Sequence, residues 1–180
     1  MSNFRRRLMQ SIKKKEYTEL EYIELTGTQY IKTGVLTSKK LKCECTFSTN
    51  TPQRVLFGAR ESSTSDGLIS GYFETNPTLS AFVAYGGASS RFSTTITCTD
   101  NNVHTITLSD TEYTIDNEEQ TIDNRGTFTN FYEIYLGTWN NAGVGDIRMH
   151  IGKIYSFKIY DNNVLIRDFI PVLDKDYECC

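Results

Sequence analysis

From Leu41 to Ser48 the chain alternates without a break: Leu41, Cys43, Cys45 and Phe47 take one parity, Lys42, Glu44, Thr46 and Ser48 the other. Successive side chains of an extended strand point to opposite faces, so this period of two predicts a strand with one face on a core and one toward water. Similar stretches recur beyond Tyr17. Leu20 and Tyr22 alternate with Glu21, Ile23 and Leu25, and strands are predicted over 29–36, 54–59, 68–73, 79–85, 91–98, 103–108, 131–137, 151–160 and 164–170. A small hairpin is predicted from 112–116 and 120–123, turning at Asn117 and Glu118. In the stretch 151–160, Tyr155, Phe157 and Ile159 form one parity and Ile154, Ser156, Lys158 and Tyr160 the other. Roughly a dozen short strands without a helical pattern after residue 16 predict a sandwich or barrel.

Within 180 residues such strands fill one sizeable core, so one domain over 17–180 with an arm over 1–16 is expected. Charge separates the two parts. Residues 1–16 carry six basic residues against one acidic, a net of +5; the rest carry 13 against 21, a net of −8. A basic arm on an acidic body suits an anionic docking partner for the arm and argues against nucleic acid as a partner of the body. In the arm, Phe4, Leu8, Met9 and Ile12 recur near helical spacing, with Arg5, Arg6, Arg7, Lys13, Lys14 and Lys15 around them. A helix formed on docking and a disordered tail both fit this composition. The apolar stretch after Arg7 is too short for a secretion signal, and no run suffices for a transmembrane segment. Five cysteines, two of them one residue apart on one strand face, predict free thiols and synthesis in a reducing cytoplasm.

Two segments carry a resemblance. Residues 21–34, EYIELTGTQYIKTG, look like the opening strand pair of a laminin G-like domain of the kind found in bacteriophage and gut-bacterial surface proteins. Residues 152–161, GKIYSFKIYD, followed by VLIRDFIP over 164–171, look like its closing hairpin, with Phe57-Gly58-Ala59-Arg60 and His104-Thr105-Ile106 between them in order. The resemblance covers about residues 20–172 and implies an all-β, two-sheet antiparallel jelly-roll sandwich of the concanavalin A-like kind. It also implies an accessory role in a virion, as a head or tail decoration or fibre subunit; with the basic amphipathic arm, which lies outside the resemblance, the expectation is a homo-oligomer made in the host cytoplasm and joined to other virion proteins through residues 1–16. A carbohydrate-binding module of a surface or soluble protein is the alternative, and a glycoside hydrolase a weaker one. The family commonly adds a strand after the position of Pro171, where this chain has few residues left; an open sheet edge is the expected consequence.

Tests for chemistry point away from catalysis. Glu19, Glu21 and Glu24 approach the carboxylate spacing of jelly-roll glycoside hydrolases, but Glu24 falls on the opposite parity from the other two. His104 and His150 have no second ligand at metal-binding spacing, so each is expected as a strand residue with satisfied hydrogen bonds. No catalytic or metal residue is therefore assigned. For a host-surface glycan, the Asn/Gly-rich loop over 138–146 offers Trp139 as an exposed platform, flanked by Asn140 and Asn141, with Tyr72 and Tyr85 as further stacking faces. Asp100-Asn101-Asn102, Asp123-Asn124 and Asn140-Asn141 with Asp146 are oxygen-rich enough for calcium, though turns prefer the same residues.

Overall fold

The computed structural model describes residues 17–60, 67–72, 81–85, 88–92, 96–120 and 131–174. The arm over 1–16, its helix, and the Asp123-Asn124 loop lie outside these. The described residues are all β, as the alternation requires. Their strands in chain order are β1 (Tyr17–Glu19), β2 (Ile23–Thr26), β3 (Ile31–Leu36), β4 (Leu41–Ser48), β5 (Val55–Arg60), β6 (Gly67–Tyr72), β7 (Ala81–Tyr85) and β8 (Ala88–Phe92). There follow β9 (His104–Leu108), β10 (Tyr113–Ile115), β11 (Glu118–Glu119), β12 (Glu133–Leu136), β13 (Trp139–Asn141), β14 (Val144–Gly145), β15 (Ile151–Asp161), β16 (Val164–Phe169) and β17 (Val172–Asp174).

Two antiparallel sheets face each other. The first runs β11-β10-β9-β4-β15-β16, and β2 shares the outer edge of β15 with β16: Ile151–Ile154 pair with β2, Phe157–Asp161 with β16. The second runs β3-β12-β5-β6-β7-β8, with the β13–β14 hairpin beside the end of β5, to which β13 is parallel. Cys43, Cys45, Phe47, Ile106, Leu108, Phe157 and Ile159 of the first sheet pack on Leu56, Phe57, Ile134 and Leu136 of the second. Phe57 and Phe157 meet across the gap with ring centroids 5.0 Å apart. Each such side chain removed from water contributes about 1.5–3 kcal/mol. Cys43, Cys45 and Cys98 are free, buried thiols, and burial raises the pKa of each, that of Cys98 to about 12, so they pack as small hydrophobes.

Several strands differ from the sequence expectation. Along β15 the ladder with β4 shifts register between Ile154 and Ser156, which makes Tyr155 the extra residue of a β-bulge. Ile154, Phe157 and Ile159 are buried, whereas Tyr155 is only half-buried, so the predicted grouping of Tyr155 with Phe157 and Ile159 fails at the bulge. The small hairpin turns at Asp116-Asn117, both with positive φ (52° and 66°), so its second strand is Glu118–Glu119, earlier than predicted. Residues 96–98 are not in a strand, against the predicted 91–98. After Pro171 the chain forms β17, which pairs with β1 as a separate two-stranded ribbon.

Candidate functional site

The loop expected over 138–146 is the β13–β14 hairpin, and Trp139 is 2% exposed. Arg60 and Arg148 lie over its ring, their guanidinium carbons 3.7 and 4.4 Å from the centroid. Asp146 binds both arginines, with Arg148 Nε at 3.0 Å and Arg60 Nη2 at 3.7 Å. The indole is thus a structural anchor under paired cations. Asn140 is also buried: its Nδ2 donates to the Glu133 carbonyl and its Oδ1 accepts from Gly143 N, which closes the turn. Asn141 is half-buried and pairs with Val144. The platform expected of Trp139, Asn140 and Asn141 is not exposed, and Tyr85 is fully buried, donating to the Lys39 carbonyl at 3.2 Å. Parallel pairing with β5 pulled the tryptophan inward, a long-range contact that a local Asn/Gly pattern does not encode.

The first sheet turns a different aromatic pair outward. Because Phe47 and Ile154 face the core, Lys153 faces away from it, opposite Ser48 in the β4–β15 ladder, which is itself covered and only 2% exposed. On the other side of β15, Lys153 sits opposite Glu24. One row across three strands therefore reads Glu24, Lys153, Ser48. The bulge at Tyr155 adds an aromatic to the next row. Tyr155 meets Tyr22 edge-on at 5.8 Å, and its hydroxyl lies 3.4 Å from Ser48 Oγ. Lys153 Nζ stands 3.9 Å from the Tyr22 ring centroid. Hydrogen bonding to Tyr22 raises the Lys153 pKa above its ordinary value, so the ammonium stays charged through the neutral range. Beyond them Thr46 and Thr105 share a hydroxyl contact at 3.1 Å. The accessible face combines two half-buried phenol rings with a cation, a carboxylate and the hydroxyls of Thr46 and Thr105, while Ser48 lies buried beneath Tyr155. Such a surface accepts a ligand with an apolar face and a rim of hydroxyls or acid groups.

A second cluster gathers around His104. His104 is the strand residue with satisfied hydrogen bonds expected of it, and its partners are two carboxylates: Nδ1 is 2.7 Å from Asp116 Oδ2 and Nε2 is 2.9 Å from Asp100 Oδ1. Asp116 Oδ1 also accepts from Thr105 N, and Asp100 accepts from both nitrogens of Asn102. Burial opposes a charge on His104, but hydrogen bonds to Asp100 and Asp116 outweigh it and raise its pKa. The hydrogen bond to His104 in turn holds Asp100 down at about 2. With an acceptor at each ring nitrogen the imidazolium donates twice, pinning β9 to the turn before it and to the β10–β11 hairpin. This stabilisation is fully present below the unfolded histidine pKa and is lost as pH rises through the raised folded value. Asp116→Asn is expected to lower the His104 pKa, read from its imidazole proton shifts in an NMR titration. The oxygens of Asp100 and Asp146 proposed for calcium are thus held by the protein's own donors. The sequence signal for this cluster was the spacing Asp100-x-x-x-His104; Asp116 joins only through the hairpin register.

Glu19, Glu21 and Glu24 do not converge. Glu19 lies in the β1–β17 ribbon, Glu24 beside Lys153, and all three are exposed.

No family model and no curated protein matches the sequence. Among solved structures, the chain is similar to domains LG4-5 of the mouse laminin α1 chain, with a TM-score of 0.49 and 14% identity over 87% of this chain. It spans 50% of the length of that laminin chain. The two-sheet architecture described above rests on the strand pairing itself.

Proposed function

We propose that this chain is a non-catalytic display domain that binds a saccharide on the outer face of its first sheet, within a bacteriophage virion subunit anchored by residues 1–16. The observation that carries the binding reading is the bulge at Tyr155, which sets one ring edge-on to Tyr22 beside Lys153 and Glu24. A pyranose offers C–H groups to a ring face and hydroxyls to the surrounding polar groups, and an acidic sugar would add a partner for the Lys153 ammonium. The virion reading is supported by the charge contrast between arm and body and by the resemblance of residues 21–34 and 152–171 to laminin G-like domains of phage proteins.

A glycan array tests the binding face. The intact protein is expected to bind a restricted set of glycans, and Tyr155→Ala to weaken that binding about tenfold, the loss of one aromatic contact. A half-buried tyrosine can be truncated without unfolding the sandwich, so thermal unfolding of the variant serves as the control. Equal binding by the variant, or no glycan bound by the intact chain, would refute the reading. For the anchor, deletion of residues 2–16 is expected to leave the body folded and abolish incorporation into particles. Normal incorporation would refute the anchor, whereas absence of the intact chain from particles would favour a carbohydrate-binding module of a surface or soluble protein.

A further inference from the structure

At one end of the sandwich the two sheets part. Ile23, Ile154 and Phe169 of the first sheet face Ile31 and Leu136 of the second across an apolar mouth of about 200 Å³, rimmed by the 170–172 turn. Its surroundings are apolar as well: Tyr17, Leu20, Ile170, Val172 and Leu173 are each at least 40% exposed. Apolar side chains left exposed around an apolar opening favour a cover over it.

The chain itself leads to the mouth. Val172 on the rim pairs with Glu19, Tyr17 pairs with Asp174, and Leu20 N donates to the Pro171 carbonyl at 2.9 Å. Residues 1–16 therefore join the body two residues from the rim. They bring Phe4, Leu8, Met9 and Ile12, which on a helix span about 12 Å along one side. The other nearby segment, residues 175–180, brings Tyr177 as its one large apolar residue, among Lys175, Asp176 and Glu178. A tethered segment also meets the mouth at an effective concentration in the millimolar range, far above that of a second copy in solution. We infer that this mouth is the seat of residues 1–16 of the same chain, with their apolar side chains inserted and their basic residues outward over the acidic body. The same four apolar side chains serve any external docking of the arm, so the seat and a partner compete for them.

Hydrogen exchange on the full chain and on a chain lacking residues 2–16 tests this. Amides of 23–31 and 166–173 are expected to exchange about fivefold or more faster in the shortened chain, while those of 104–119 stay unchanged. A full-length Phe4→Ser/Leu8→Ser variant should reproduce the effect, and a synthetic 1–16 peptide added to the shortened chain should reverse it. Exchange that is the same in both chains would overturn the proposal. So would protection that varies with protein concentration, which assigns the mouth to a second copy, or that is lost on deleting 175–180 instead.

Discussion

Gly152→Ala is expected to lower stability by roughly 3–5 kcal/mol, enough to unfold a marginal domain at 37 °C. Gly152 has φ +141°, a conformation that L side chains rarely adopt, and it pairs with Leu25 of β2 one residue before the β4 ladder begins at Lys153–Ser48. A Cβ there would collide with the Ser48 carbonyl oxygen and crowd Thr49 Cβ and His150 Nε2, each at 3.1 Å. Backbone held by ladder pairing cannot swing aside as a side chain can. Ser48 is also the residue opposite Lys153, so any relief would displace the row that the glycan-binding reading depends on. Gly34→Ala is the control: φ is +72° there, but the nearest atom is the Arg167 Nη2 at 3.9 Å, and a loss of about 1 kcal/mol is expected. Urea unfolding of both variants reads the difference. Equal losses would mean that backbone strain, and not the approach of β4, dominates at Gly152.

What the sequence disclosed follows from how far each signal reaches. The strict alternation of Leu41–Ser48 depends on one strand between two neighbours, and all four inward residues are buried as expected. The turn between β15 and β16 is equally local: Asn tolerates a left-handed backbone, and Asn162 and Asn163 both take positive φ. The laminin G-like resemblance pointed to the right architecture class, since the described strands form two facing antiparallel sheets. The binding surface was another matter. Tyr155 reaches the outer face because one residue is inserted opposite β4, and an inserted residue leaves no mark on a hydrophobic pattern already rich in aromatics. Trp139 was misplaced for the converse reason: turn-forming neighbours described the β13–β14 turn correctly but said nothing of Arg60 and Arg148, which cover the ring from distant positions. His104 shows both sides, with one partner four residues away and the other set by hairpin register.

The two histidines pull the pH dependence of the fold in opposite directions, and His150 governs the acid side. Its ring is 1% exposed and packs edge-on to Phe47 at 6.0 Å, and its Nε2 has no hydrogen-bond partner. Desolvation, reinforced by the positive charge of Arg54, lowers its pKa to about 4. The folded chain therefore holds His150 neutral where the unfolded chain, with an ordinary histidine pKa near 6.5, binds a proton. Between those values the unfolded state carries more protons, so stability falls as pH drops from 6.5 toward 4. The expected loss between pH 7 and pH 4 is about 3 kcal/mol. His104 works against this slope only at the upper end of the window, where the unfolded histidine is still taking up its proton; further down it is protonated in both states. Asp100 and Asp146, whose pKa values are lowered, add their losses as pH falls below the ordinary carboxylate range. Urea unfolding at intervals from pH 7 to pH 4 measures the slope. His150→Leu, close in volume and without the unpartnered nitrogen, should unfold at similar urea at pH 7 and lose little on acidification to pH 4.5. A variant as acid-sensitive as the parent would transfer the effect to another group and leave the buried imidazole without a role in it.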